Sequence, residues 1–390
     1  MDIEKALNKI GRTLPQIREV AESMRDEILA NLVLLGEMPA PSGGEEARIN
    51  LLLDRFAEND MIPSSSDDAG NGVAVVEGEK ARSNILLVAH ADTSFPAHED
   101  HTVQLSSESA CGFGLGDNSM GLAALATLPA LLRRLNISLK SNLILLATTK
   151  SQGAHDLEGL RFFLNNNQLP LLGAVCVDGM PLGKLSTHST GLLRAEVICR
   201  VPREYDWTRF GATGAIMAMN EIINKISTIE LPTRPRTTIV YATIHGGTSF
   251  SVVPRKASLS FNILSESEET IQRVERRIAD IIEEVGIHTR GQMSFNILCR
   301  RKPAELEFSH PLARSARFMM DKLEIEPLIR PSGSELSAVL EAGIPAVTIG
   351  ITEGDQTDGQ QDNLLIAPIG RGMAQLVGLI LALDGGFCRA

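Results

Sequence analysis

The sequence predicts an α/β protein, a sheet covered by helices on both faces and interrupted by a smaller inserted domain. Three observations predict it. From residue 72 onward short β-rich runs alternate with helical stretches: "GVAVVEG", "NILLVAH", "MGLAALATLPALLRRL", "NLILLATT", a helix near 157–166, then "GAVCVD". That is the rhythm of a sheet with helices packed on it. Runs such as "NILLVA" are apolar throughout, as strands buried on both faces are. Between about 190 and 302 the order changes to strand "LLRAEVICRV", helix "GAIMAMNEIINKI", strands "TTIVYATI" and "ASLSFNILS", helix "EETIQRVERRIADIIEEV" and strand "QMSFNILCR". This β-α-β-β-α-β order is the ferredoxin-like split unit, a small four-stranded sheet with two helices.

The remaining elements fit around these. The first 60 residues alternate apolar and charged positions at helical spacing, as in "EEARINLLLDRFAEND", where Ile49, Leu52, Leu53 and Phe56 share one face. They are packing helices. After the insertion the α/β rhythm resumes with helix "SELSAVLEAG", strand "AVTIG" and a last helix "GMAQLVGLILALD". The expected organisation is a discontinuous α/β domain, 1–189 plus 303–390, with 190–302 as the insertion. A chain of 390 residues exceeds one ordinary core, which agrees with two domains.

Composition narrows the function. With 43% hydrophobic and 22% charged residues this is ordinary globular material. A formal charge of -11 and 4% aromatic residues disfavour nucleic acid and anionic membranes as partners. A small molecule or peptide is the expected ligand. Cys111, Cys176, Cys199, Cys299 and Cys388 form no C-x-x-C pair and are odd in number, which points to a reducing, cytoplasmic setting. The start "MDIEKALNKIGRTLPQIREV" is charged throughout, and no apolar run in the chain reaches the length of a membrane span. Neither an export signal nor an anchor is expected.

In open α/β sheets functional groups gather beyond the carboxyl ends of the strands. The strand "NILLVA" ends in His90-Ala91-Asp92, "GFGLGDNSMGLAAL" places Asp117 after a glycine-rich loop and before a helix, and "GAVCVDGMPLG" ends in Asp178. One imidazole and two carboxylates form a reasonable zinc set with an open position. Asp92 is placed to orient the His90 ring. Each residue also has an ordinary use: His90 as a hydrogen-bonded strand end, Asp117 as a helix cap, Asp178-Gly179 as a turn.

The combination "PAPSGGEEARI", "DDAGNGVAV", "HADTSFP", "GFGLGDNSMGLAAL", "ATTKSQG", "VCVDGMPLG", "GGTSFSVVP" and "AGIPAVTIGI...QTDGQQDNLLI" resembles, in order and spacing, the dinuclear zinc exopeptidase family of aminoacylases, tripeptidases and glutamate carboxypeptidases. The resemblance spans nearly the whole chain. It implies that the insertion is a lid and dimerisation domain, hence a homodimer. It also implies that His90 and Asp178 are first-metal ligands, Asp117 the bridging carboxylate and Asp92 the acid that orients His90. The family's general base falls on Ser151, and its remaining second-metal ligands fall on Gln152 and Gln356. Where a lid segment of the family carries histidine, "REYDWTRFG" has Tyr205. The departures are confined to the base, the second site and this lid position, while every first-site position is kept.

Asp117 and Asp178 can neutralise one divalent ion, and a second would meet neutral amides, which are poor zinc ligands. The expected cofactor is one divalent metal, zinc by resemblance, or none. A single zinc can still activate water, whereas a lost base costs about 10²- to 10⁴-fold. His155 and Glu158 are alternative bases or solvent-facing residues, and His98 and His101 are expected at the surface. "IRPSGSELSAVL" offers Arg330 and Ser334 to a substrate carboxylate, or else Ser332 and Glu335 as a capping box. "HGGTSFSVVP" offers Gly246, Gly247 and Thr248 to substrate, or a glycine-rich turn. Two readings follow. One is an impaired or one-metal hydrolase of short peptides or acyl-amino acids. The other is a catalytically silent relative that binds a small ligand or partner.

Overall fold

The structure is a computed structural model describing residues 3–58, 63–79, 83–153, 155–202, 214–356 and 361–387. It divides into two compact units, residues 1–189 with 305–390, and 190–304.

The larger unit is built on an eight-stranded mixed sheet. Its centre is four parallel strands in the spatial order Asn142–Thr148, Asn84–His90, Leu171–Asp178 and Ala346–Gly350. Successive side chains of a strand face opposite sides, and both sides here are dry. Ile85 and Leu87 join a core with helices α1 (Ile3–Ser23), α2 (Arg25–Gly36) and α3 (Glu46–Glu58). Helices α4 (Met120–Arg134), later Pro311–Lys322 and Ile369–Asp384 complete that core. Leu86 and Val88 join a second cluster with Leu160 and Leu336 on the opposite face. Helices therefore cover both faces, and this double burial is what the continuous apolar runs encode. The helix α4 is buried from Met120 to Leu132, as its nearly uniform apolarity requires. On α3, Ile49, Leu52 and Phe56 are buried while Leu53 is only partly covered.

The strand order places its functional ends together. His90 pairs across the sheet with Thr148, and Asp178 with Gly350. All four residues lie at the carboxyl edge, where the following loops leave the sheet. A small antiparallel sheet from Gln104–Leu105, Ser109–Gly112, Gly354–Gln356 and Asp362–Leu365 stands beside that edge.

The smaller unit has the β-α-β-β-α-β order, with strands Gly191–Arg200, Thr237–Gly246, Lys256–Ser265 and Gln292–Arg301. They form an antiparallel sheet in which the first and third strands are central. Helices Gly214–Ser227 and Glu268–Thr289 pack on it through Met219, Ile222, Ile278 and Ile282 against Val197, Leu259 and Phe261. The edge strand Thr237–Gly246 leaves Val240, Tyr241 and Ile244 exposed. Among the described residues no helix is long and apolar enough to cross a membrane.

Candidate functional site

His90 ends its strand with a buried ring. Its Nδ1 lies 2.9 Å from the backbone carbonyl oxygen of Asp92, and its Nε2 lies 2.8 Å from Asp117 Oδ1. Both partners are acceptors, so with Asp117 ionised both ring nitrogens donate and the ring is an imidazolium. Burial alone would lower the ring's pKa. The carboxylates of Asp117, Glu335 and Asp92 outweigh it and hold the ring well above its ordinary 6.5.

Asp92 is fully buried and serves two partners. It lies beside the His90 ring, and its Oδ2 accepts the backbone N–H groups of Ser151 at 3.0 Å and Gln152 at 2.7 Å. Burial pushes this carboxyl up, but the His90 ring and its hydrogen-bond donors bring it below its ordinary value. One carboxylate thus fixes both the histidine and the loop that follows Thr148.

At residues 151 and 152 that loop presents a hydroxyl and an amide. The Ser151 hydroxyl is buried and shares a 3.1 Å hydrogen bond with the Thr148 hydroxyl. The Gln152 amide spans the site, with its Oε1 accepting from the Ser94 hydroxyl and its Nε2 donating to Asp117 Oδ2 at 3.4 Å. Asp117 sits in the Leu115–Ser119 turn with non-helical backbone angles, while Ser119 takes the cap position of α4. Asp117 is therefore no helix cap. Its side chain is 70% exposed, so loss of solvent does little to raise its pKa, and the His90 charge first, then Lys184, hold it below the ordinary value.

Asp178 holds a partner that sequence reasoning missed. The Lys184 ammonium makes an ion pair with Asp178 Oδ2, with side chains 25% and 10% exposed. Burial opposes the lysine's charge, but Asp178, Asp117 and Glu335 raise its pKa, so the ammonium keeps its proton. Burial also raises Asp178, against the pull of the ammonium. Glu335, 2% exposed, has an Oε1 without a hydrogen-bond partner among the described residues.

A zinc ion needs lone pairs converging at about 2 Å. Here Asp117 accepts from His90 and Gln152, Asp178 accepts from Lys184, and the lone pair His90 would give a metal is taken by a proton. Among the described residues no group of three or more His, Cys, Asp or Glu side chains is disposed to hold a metal ion. The donor set, as arranged, does not fit the metal.

The surrounding frame is built from residues to which the sequence assigned no role. Arg48, fully buried, donates to the carbonyl oxygens of Met38 at 2.6 Å and Ala91 at 3.1 Å. Burial lowers its pKa to about 10, against the nearby Asp92 and Glu45. Glu45 Oε1 accepts the backbone N–H of Lys150 at 2.8 Å. Asp117 opens onto a cleft of about 620 Å³ lined also by Phe95, Glu99, Phe113, Gln356 and Asp362.

Of the other expected site residues, Arg330 is exposed. Ser334 is the residue before helix Glu335–Glu341. The capping box of Ser332 and Glu335 is not formed: Ser332 lies too early, its hydroxyl accepting from Ser334 N–H, and Glu335 is the first helical residue. In the smaller unit Gly246, Gly247 and Thr248 line a cavity of about 550 Å³ with His245, Arg255 and Lys256. Tyr205 lies outside the described residues. His98 is exposed, but the expectation for His101 fails. Its Nε2 lies 3.0 Å from the Pro96 carbonyl oxygen and its ring meets Phe113 edge-on, which buries it. His155 and Glu158 face each other at 3.5 Å on the surface, with Lys150 also on Glu158.

Residues 208–290 match the M20 peptidase dimerisation domain. Solved structures with the same fold include a tripeptidase from Staphylococcus aureus, 17% identical over 93% of this chain and 99% of that one, TM-score 0.73. Human carnosine dipeptidase 1 is 12% identical over 95% and 100%, TM-score 0.74. The dipeptidase Dug1p from Saccharomyces cerevisiae is 11% identical over 96% and 99%, TM-score 0.75. No curated protein sequence matches.

Proposed function

We propose that this chain, which has the fold of the M20 peptidases and carries their dimerisation domain, holds a short peptide or acyl-amino acid beside Asp117 without cutting it by two-metal hydrolysis. One observation carries the reading. Both oxygens of Asp117 are engaged by N–H donors of the chain itself, His90 and Gln152, while the base position holds a hydroxyl already bonded to Thr148. Hydrolysis needs a group that takes a proton from water, and a buried serine hydroxyl does not do so near neutral pH. A divalent ion held by His90, Asp117 and Asp178 would supply a polarised water, and these side chains are committed elsewhere.

The cleft and the similar structures, a tripeptidase and two dipeptidases, support this ligand class. The Phe95 and Phe113 rings, 4.8 Å apart, offer an apolar wall, and Glu99 in the same cleft offers a partner for an amino group. The contact of His90 with Asp117 at 2.8 Å favours a second reading, a one-metal hydrolase whose first site is kept together. The dimerisation domain supports a homodimer through the smaller unit, and the thiols of Cys111, Cys176 and Cys199, which are in no disulfide among the described residues, support a cytoplasmic setting.

The test is a panel of dipeptides, tripeptides and N-acyl-amino acids presented to chelator-treated protein, read by thermal shift and by chromatography of products. Stabilisation without product is expected. Turnover at the 1–10³ s⁻¹ or so of ordinary enzymes overturns the reading, and turnover only after zinc is added selects the one-metal hydrolase.

A further inference from the structure

We propose that Lys184 is a built-in replacement for a metal ion, its ammonium fixed on Asp178 where a divalent cation would otherwise be held, so that it closes the site to metals. The inference rests on the preceding reading only for the absence of two-metal chemistry.

Four observations support it. The ammonium contacts Asp178 directly, and the pair is largely buried. The lysine's backbone is held in place. It opens the strand Lys184–Ser186, with Lys184 opposite Leu328 and Leu185 opposite both Ile329 and Ile349. The preceding Gly183 has φ +93, and a Cβ there would lie 2.4 Å from the Glu326 carbonyl oxygen, so the backbone turn that aims Lys184 admits only glycine. Both oxygens of Asp117 are also met by N–H donors, from His90 and Gln152.

Lys184 sets one positive charge directly against Asp178, where a divalent ion would otherwise have to supply it. An ammonium has three donors and no lone pair, so it satisfies carboxylates while contributing nothing to coordination. Without it Asp178 would lose its cation, and one imidazole with two carboxylates is a set of residue types that zinc accepts once they converge.

The experiment is zinc titration by calorimetry, with elemental analysis, on full-length protein stripped with chelator. Four chains are compared: wild type, Lys184→Ala, Lys184→Arg, and Lys184→Ala combined with His90→Ala. Expected are no stoichiometric zinc in wild type or Lys184→Arg, about one per chain in Lys184→Ala, and none in the double variant. Zinc should also raise the melting temperature of Lys184→Ala and leave wild type unchanged. If Lys184→Ala does not fold, Lys184→Met, which keeps the apolar stem, takes its place. Stoichiometric zinc in wild type, lost in His90→Ala, overturns the inference, as does a folded lysine-less variant that ignores zinc. Peptide cleavage by zinc-free wild type would sink the functional reading and leave this inference standing.

Discussion

Asp362 supplies the sharpest test of the site's electrostatics. It is 3% exposed, and its Oδ2 accepts the Gly116 N–H at 2.9 Å, tying down the turn that carries Asp117. Burial first, and the Asp117 charge next among the raising effects, push its pKa from an ordinary 3.8 to about 6, against the backbone N–H groups of Gly116, Asp117 and Leu115. The folded chain therefore binds this proton more tightly than the unfolded chain. The associated stability is fully present below pH 3.8 and is lost as pH rises through about 6. At about 1.36 kcal/mol per unit, a shift of roughly two units is worth about 3 kcal/mol. Asp362→Asn keeps an acceptor for Gly116 and carries no charge, so it escapes the loss. Its melting temperature should match wild type near pH 4 and exceed it at pH 7.5 by about 5 °C or more, at roughly 2–4 °C per kcal/mol. Calorimetric scans of both proteins across that range decide it. A gap that does not change with pH, or a variant less stable than wild type at pH 7.5, refutes the reasoning.

The remaining predictions concern the smaller unit and the substituted loop. Ile244 is 57% exposed on an edge strand, so Ile244→Glu should leave folding intact by circular dichroism and shift a micromolar homodimer to monomer by light scattering. An unchanged dimer would place the interface elsewhere. Gln152→Glu restores a carboxylate beside Asp117 without a cation to meet it, and should lower stability at pH 7.5 by about 1 kcal/mol or more in urea unfolding. Equal or greater stability, or recovered peptidase activity, would contradict the metal-free charge balance.

The sheet was legible because burial on both faces leaves a direct trace. Ile85 and Leu87 meet one core while Leu86 and Val88 meet the other, so no polar residue could interrupt the run. His90 and Asp178 were legible because they terminate such runs. Lys184 was not. It stands six residues after Asp178 in "DGMPLGK", where a lysine after a glycine reads as solvated, and its contact depends on the short strand it opens pairing with residues 328–329 and 348–349, well over a hundred positions later. His101 failed for a related reason. "PAHEDHTVQL" is charged enough to read as surface, yet one carbonyl from Pro96 and the ring of Phe113 suffice to bury the imidazole. The capping box failed by position, since Ser332 is spent on Ser334 and the helix begins at Glu335.

The neutral side chains of Ser151, Gln152 and Gln356 and the placement of Lys184 answer one electrostatic constraint. Buried carboxylates must be neutralised by metal, proton or internal cation. Asp92, Asp178 and Glu335 are buried, and Asp117 stands beside them. Against them stand Arg48, Lys184 and the doubly donating His90. If Lys184 is already on Asp178, two divalent ions would bring an excess of positive charge, and extra acidic ligands without those ions would bring an excess of negative charge. Neutral side chains at 151, 152 and 356 avoid both. Gln152 also answers geometrically, since its amide donates to the Asp117 oxygen that a second ion would have bound. Each oxygen of Asp117, and the one of Asp178 that faces Lys184, is met by an N–H donor, while Asp92 Oδ1 and Glu335 Oε1 have no hydrogen-bond partner among the described residues.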